Sequence, residues 1–476
     1  MIGLVFPHQC FPTLPKSWKH VVFVRHDIGY GGSNTTVQNF HIGRKVFLRA
    51  AEKAWIADQT AKGISVRVIP RGKSWYTSEP CEFWDPVDHM LSAEITKGCP
   101  NAKRLESPGF LLSRDDALQM LGASDATKHS SHAQFYAAMR NRFSVLMTKS
   151  GTPEGGKYRF DTDNRETYDP DEDIPDWSIE IAKRQSKYVK DAYTEIKSEG
   201  TSLGTAGDDI VFPTTRQGAK QALRRFLQSR LSKFGTYQDA IAENEDFLFH
   251  SVLSAPINAG LLTPDEVIDA ALRWKGKVPL SSLEGFIAQI LGWREFMRAV
   301  YLKFPTPPPN RLNHRNSLST AWYTGTTGIL PVDTAIHRVL ENAYLHHIER
   351  LMVVGNFMCL CEIRPEHVYR WFMELFADSY DWVMIGNVYY MSQWTSDAIT
   401  TKPYISSSAY ILRMSDYKKG EWSEKWDTMY WNTVRRLAPL LKKNYRMAAQ
   451  VAFWNKKSET VQKDIERKAI EFLRAL

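Results

Sequence analysis

Apolar residues in this chain repeat on two different periods, and the change between them limits what the chain can fold into. In the first 115 residues they cluster in short β-rich runs: IGLVF (2–6), HVVFV (20–24) and ISVRVIP (64–70). Runs of this length and composition read as buried strands. Between the second and third, IGRKVFLRAAEKAWIADQTAK (42–62) carries the helical period. Strand, strand, helix, strand predicts an α/β N-terminal domain over 1–115, with a mainly parallel sheet of the flavodoxin or Rossmann type. FLLSRDD (110–116) reads as its last strand running into a helix cap. From about residue 212 apolar residues recur every three to four positions almost without break, which predicts an all-α domain over 212–476. Residues 116–211 read as a connector with helices and a long loop, because SGTPEGGKYRFDTDNRETYDPDEDIPDW (150–177) is rich in Gly, Pro and acids. FPTPPPN (304–310) interrupts the helical pattern as a loop.

Composition narrows the function. The 476 residues suit two or three domains, and 43% apolar with 24% charged residues is ordinary for a globular protein with a large core. A net charge of +8 favours a polyanionic partner such as nucleic acid, although a basic enzyme surface gives the same balance. The 15 Trp, 20 Tyr and 23 Phe could build a wall for a flat ligand. Cys10, Cys81, Cys99, Cys359 and Cys361 form no CxxC pair and leave one over, so they read as reduced thiols of a cytoplasmic protein. MIGLVFPHQC has no basic segment ahead of a long apolar one, and no run of about 18 apolar residues occurs, so no membrane span is expected.

Two motifs fail on their context. GTPEGGK (151–157) has the spacing of a phosphate-binding loop, but Tyr158 stands where Ser or Thr should hold magnesium, and no helical pattern follows. His129 and His132 (HSSH) lie in a polar segment without a third ligand, so no metal is expected.

EGFIAQILGWREFMRAVY (284–301) carries two faces. Phe286, Ile290, Met297 and Val300 or Tyr301 make a core stripe, while Gln289 and Trp293 share another face, with Arg294 following. Gly292 sits mid-helix, where Gly costs about 1 kcal/mol relative to Ala, so a close approach by a ligand or a neighbouring backbone is expected. In ILPVDTAIHRVLENAYLHHIERLMVVGNF (329–357), Ile336, Leu340, Ala343, His347, Arg350 and Val354 fall on one stripe of a single helix. A buried guanidinium needs a carboxylate or an anionic ligand, and Asp378 and Asp381 are the candidates. His347 reads either as a hydrogen-bonded core histidine or, beside a ligand cavity, as a proton donor. FHSVLS (249–254) places Ser251 and Ser254 where hydroxyls and backbone N–H groups can meet a phosphate, though Ser is a commonplace N-cap.

Together these residues resemble the photolyase and cryptochrome family, most closely its prokaryotic (6-4) branch. The likeness rests on EGFIAQILGWREF, WYTGTTGILPVDTAIHRVL, FGTYQDAI with FHSVLS, HHIERLMVVGNF, YDWVMIGNVYYMSQW and TKPYISSSAYILRMSDY. It covers nearly the whole chain, strongly from about 230 to 420 and loosely in the first 110 residues. The resemblance implies FAD held without a covalent bond by Tyr237, His250, Ser251, Val252, Leu253, Ser254, Gln289, Arg294, Arg350, Asp378, Asp381 and Asn387. It implies a catalytic group of His347, His346, Trp293 and Tyr404, with Trp293 offering its plane to an extruded base. An electron route through Trp371 and Tyr323 follows, the second standing where a Trp is expected. The implied activity is light-driven repair of UV-damaged DNA by a monomer, with (6-4) photoproducts favoured over cyclobutane dimers by His347. A blue-light receptor on the same scaffold is the rival.

Two departures from the family pattern stand out. The branch holds an iron–sulfur cluster with four thiolates, but Pro331 occupies the first of those places and MSDYKKGEWSEKWD (414–427) has no Cys. Cys359 and Cys361 cannot complete a set of four with the other, distant cysteines, so no cluster is expected. In the N-terminal domain, Pro7, His8 and Gln9 and then Arg25 and His26 depart from the antenna-binding pattern, which leaves a 6,7-dimethyl-8-ribityllumazine antenna open.

Overall fold

A computed structural model describes residues 1–33, 37–122, 131–176, 186–205, 207 and 210–476, so His129 lies outside the described residues. The strands β1 (Ile2–Val5), β2 (His20–Val24), β3 (Ser65–Ile69), β4 (Cys81–Trp84) and β5 (Ala102–Leu105) form one sheet in the order β3-β2-β1-β4-β5. Every pairing is parallel. Parallel neighbours need crossover helices that cover the sheet faces. Ile42–Ala61 links β2 to β3, and His89–Gly98 links β4 to β5. Leu4, Val5, Phe23 and Val24 are buried in consequence.

The expected last strand is not one. Leu111 and Leu112 are drawn away from the sheet because their backbone N–H groups donate to the buried carboxylate of Glu295, at 2.9 and 3.3 Å. Ser113 does cap the following helix, Arg114–Leu121, its Oγ accepting from the Asp116 N–H at 3.1 Å. The final strand is β5 on a sheet edge, whose sequence AKRL has no apolar alternation and whose two central residues are exposed.

A doubly wound sheet offers a crevice at the carboxyl ends of its strands where the order reverses, here between β1 and β4. Side chains fill it. His8 Nε2 lies 3.1 Å from the Pro86 carbonyl oxygen, and its ring is 5.5 Å from that of Tyr380. Gln9 donates to the Trp84 carbonyl at 3.0 Å, and the Arg44 guanidinium packs over Phe40 and Tyr380, 4.0 and 4.7 Å from their centroids.

The regular structure after β5 is helical, with one departure from the expected stripe. The helix Leu330–Asn342 ends at Ala343, whose φ of 53° is left-handed, and a new helix opens at His347. His347 and Arg350 therefore belong to a different helix from Ile336 and Leu340. Among the described residues, no helix is long and apolar enough to cross a membrane.

Candidate functional site

Three helices of the C-terminal half widen into π turns, at Ala288–Arg294, Glu349–Gly355 and Ile385–Ser392. Such turns concentrate at functional sites, and all three border one cavity of about 450 Å³. That size falls among ordinary cofactor sites. Gln289, Ile290, Trp293 and Arg294 come from the first turn, Arg350 and Leu351 from the second, and Asn387, Val388, Met391 and Ser392 from the third. Phe286 and Met297 also line the cavity, so part of the stripe expected to face the core faces the cavity instead. Val300 and Tyr301 are buried away from it, and the His89 N–H donates to the Tyr301 hydroxyl oxygen at 2.9 Å.

The loop before the short helix Ser254–Asn258 supplies His250, Ser251, Val252, Leu253 and Ser254 to the wall. Its backbone is strained. Leu248 and Val252 have φ of 42° and 52°, and a left-handed β-branched residue is a genuine outlier of the kind found in ligand clamps.

Arg350 meets Asp378, not Asp381, through paired hydrogen bonds of 2.9 and 3.0 Å, and its Nε donates to the Leu345 carbonyl at 2.7 Å. Burial alone would raise the Asp378 carboxyl, but the Arg350 charge and hydrogen bonds outweigh it and hold the group below its usual range. Asn258 donates to the Asp378 carbonyl at 2.8 Å and accepts from Arg294. Arg294 also donates to the Gly109 carbonyl at 3.0 Å and stacks over Phe110 and Trp382. Its guanidinium thus ties the segment after β5 to the cavity wall, and burial lowers its pKa to about 10.

His347 is surrounded by protein, yet its ring surface is open to the cavity. Burial and then the Arg350 charge push its pKa down to about 4, so it is neutral at pH 7. Trp293 and Tyr404 line the same cavity. One face of Trp293 is already covered by the His132 ring, 3.6 Å away and 8° from parallel. His132 is therefore a buried packing residue rather than part of a solvated polar segment. This also explains Gly292: a Cβ there would come within 2.9 Å of Tyr136 and 3.0 Å of His132, so the close neighbour is the helix His132–Phe143 and not a ligand.

Five expected site residues lie off the cavity. Tyr237 stacks on Phe249 at 5.2 Å and donates to Glu172 at 3.2 Å, inside a separate small cluster. Its neighbours Phe234, Gln238 and Asp239 reach the cavity instead. Asp381 accepts from the Tyr369 hydroxyl and turns its charge toward Asp88, whose carboxyl burial and that charge raise to about 7. His346 sits behind His250, ring on ring at 4.5 Å, with its Nε2 3.3 Å from Glu349. Trp371 and Tyr323 are set further back. The long acidic connector held residues that were missed: Arg159, Asp161, Asn164 and Arg165 line the cavity. The only signal was three cations, Lys157, Arg159 and Arg165, in an otherwise acidic loop.

The donor set fits a flavin nucleotide. The wall surface is mostly apolar but densely studded with polar side chains, Gln289, Arg350 and Asn387 among them. The buried Nε2 of His250, on the wall, has no hydrogen-bond partner among the described residues. Gln289 and Asn387 each donate to the backbone of their own helix, at 3.4 and 2.8 Å, which leaves their side-chain oxygens as acceptors.

Comparison with known proteins agrees. A family model described as deoxyribodipyrimidine photo-lyase-related protein matches residues 4–208, and one described as the FAD binding domain of DNA photolyase matches 286–466. A (6-4) photolyase of Agrobacterium fabrum is 38% identical over 357 residues, 72% of this chain and 70% of that protein. An uncharacterized protein of Acanthamoeba polyphaga mimivirus is 54% identical over 85 residues, 17% of this chain and 69% of that one. The crystal structure of a bacterial class III photolyase from Agrobacterium tumefaciens shares the fold, with a TM-score of 0.54 at 14% identity over 100% of this chain and 98% of that one. With its parallel sheet, its helical half and a polar-studded cavity beneath three π turns, the chain belongs to the photolyase family of FAD-binding lyases.

Proposed function

We propose that this protein repairs UV-damaged DNA with light, and that its substrate is the (6-4) pyrimidine photoproduct. The observation that carries the reading is the convergence of Trp293, His347 and Tyr404 on the cavity that also holds Gln289, Arg350 and Asn387. The 38% identity to a protein named (6-4) photolyase supports it. A damaged base must leave the stack to enter such a cavity, and a distorted lesion does so more cheaply than a normal pair. FAD, when bound, supplies light-driven transfer of a single electron.

The residues provide the surroundings for that chemistry. Asp378 holds the Arg350 guanidinium at the wall, and Asn387 and Gln289 offer acceptors. Trp293, stiffened from behind by His132, gives a flat surface for an extruded base. His347 supplies an N–H at the cavity surface and becomes an acid when a negative ligand enters, because nearby negative charge raises a histidine pKa. The expectations of no iron–sulfur cluster and of a monomer belong to the same reading, as does the division into 1–115, 116–211 and 212–476.

The test is illumination of the reduced, FAD-loaded protein with oligonucleotides carrying each lesion. Restored thymines from the (6-4) oligonucleotide alone are expected. Repair of only the cyclobutane dimer would move the substrate assignment, and repair of neither by a protein whose flavin still photoreduces would favour a blue-light receptor.

A further inference from the structure

Phe372 lines the cavity, and behind it the Trp371 ring meets it edge-on with centroids 5.1 Å apart. Trp371 is fully buried, and its Nε1–H donates to the Trp322 carbonyl at 2.7 Å. The next residue, Tyr323, is half-buried and donates its phenol hydrogen to Glu374 Oε2 at 2.6 Å, a short, charge-assisted contact. Glu374 Oε1 lies 3.8 Å from Nε of Arg370, a side chain half in solvent. An unbroken line of aromatic and polar groups thus runs from the cavity wall to the surface.

The proton decides where an electron hole on this line comes to rest, because a one-electron-oxidised indole or phenol is far more acidic than its parent. Trp322 is fully buried, and its Nε1–H has no acceptor among the described residues. The Trp371 N–H faces an amide oxygen, which is a poor base. Of the three, Tyr323 alone faces a carboxylate. Burial raises the Glu374 pKa above the usual carboxylate range, against the opposing pull of Tyr323 and Arg370, and a higher pKa makes a better proton acceptor.

We propose that Glu374 accepts the proton of Tyr323, and that this pair refills an electron hole formed at Trp371. The inference rests on the flavin reading above, which makes the hole when Trp371 donates an electron toward the cavity. One electron passes from Tyr323 to the Trp371 radical cation and restores the neutral indole. The Tyr323 O–H bond breaks, and an O–H bond forms on Glu374 Oε2. The products are a neutral tyrosyl radical and a neutral carboxylic acid, so charge is conserved; an external thiolate later supplies one electron and becomes a thiyl radical, while the proton on Glu374 returns to the Tyr323 oxygen.

The test reads the radical and not repair. After a flash, FAD-loaded protein in light and heavy water is followed by transient absorption and electron paramagnetic resonance. A neutral tyrosyl radical that forms more slowly in heavy water is expected, and Tyr323→Phe should lack it. Glu374→Gln keeps the shape of the side chain but cannot take the proton, and should slow formation on the order of 100-fold, the usual scale for loss of a positioned base. Added imidazole should restore part of the rate, which a merely structural role would not allow. A parent that forms no tyrosyl radical, or a Glu374→Gln variant with the parental rate and isotope effect, overturns the proposal. If the protein takes up no flavin, the same comparison is made after oxidation by a soluble ruthenium photo-oxidant. The flavin reading then fails by itself, and the Tyr323 and Glu374 variants still decide the proton transfer.

Discussion

Replacing Asp378 by Asn isolates the strongest polar contact at the cavity. The Arg350 and Asp378 side chains are only 13% and 8% exposed, and two hydrogen bonds join them. Removing one partner of a buried pair costs about 3–5 kcal/mol because the other charge is left uncompensated. Asn keeps one acceptor, and the Leu345 carbonyl and the Phe376 ring, 4.2 Å away, still hold Arg350, so the lower end, about 3 kcal/mol, applies. At an unfolding entropy of about 2.1 cal/mol/K per residue, 476 residues give about 1 kcal/mol/K, so the melting midpoint should drop by about 3 °C. The pH dependence follows from the depressed carboxyl. Its folded pKa lies below the ordinary 3.8, so the pair stabilises fully above that value and the contribution is lost as pH falls through the folded pKa. Scanning fluorimetry should therefore show a constant gap between parent and variant above about pH 4 that narrows only as the pH is taken below 3.8. The double variant Arg350→Met with Asp378→Leu should recover stability, because apolar replacement of a buried pair is often neutral, and should still lose flavin on dialysis. An unchanged midpoint for Asp378→Asn at pH 7 would refute the energetics. A stable double variant that keeps its flavin would remove Arg350 from the flavin contacts.

Other substitutions and conditions have equally definite outcomes. Gly292→Ala gains about 1 kcal/mol of helix propensity but drives a methyl group to 2.9 Å from Tyr136, an overpacking cost of about 1–3 kcal/mol, so denaturant titration should show net destabilisation. His132 and His314 are held neutral by burial at about 3, and His41 at about 4, against an ordinary 6.5. The unfolded chain therefore binds more protons between about pH 4 and 6.5, so stability should rise with pH across that window in a fluorimetric melt and flatten above it. Purified protein should contain neither iron nor acid-labile sulfide in stoichiometric amount, since Pro331 and the Cys-free segment 414–427 stand where the resemblance to the prokaryotic (6-4) branch places cluster cysteines. Stoichiometric iron and sulfide would refute that reading.

What the sequence disclosed, and what it hid, follows from how local each signal is. The strands β1, β2 and β3 lie at the middle and one side of the sheet and carry β-branched runs, so they were legible. The edge strand β5 exposes its two central residues and reads as charged loop. Leu111 and Leu112 look like a strand, but their backbone donors go to Glu295, 184 and 183 positions away, a partner no local pattern can reveal. Ala343 ends a helix in a left-handed conformation without the Gly that usually marks one, so a stripe drawn through it joined two helices. Arg350 and His347 border the cavity all the same, because a cation and a histidine among apolar neighbours need a partner or a ligand in whichever helix they lie. Tyr237 lies off the cavity because its hydroxyl donates to Glu172 of the distant connector, a partner that no local motif discloses.

The π turns explain why one cavity can be both apolar-walled and polar-studded. An α-helix turns about 100° per residue, so positions i, i+1, i+4 and i+5 spread over roughly 140°. A π turn, with its hydrogen bonds one residue longer, turns roughly 80° per residue and gathers the same four positions into roughly 120°. The lining residues follow that set: Gln289, Ile290, Trp293 and Arg294 on one helix, and Asn387, Val388, Met391 and Ser392 on another. Each wide turn therefore presents apolar side chains beside polar ones on a narrower arc than a regular helix gives. The mid-helix Gly292 belongs to the same device. It lets His132–Phe143 approach so closely that His132 stacks on Trp293 and fixes the plane at the end of that set. A pattern search tuned to 3.6 residues per turn finds these helices but assigns their faces wrongly, as Phe286 and Met297 demonstrate.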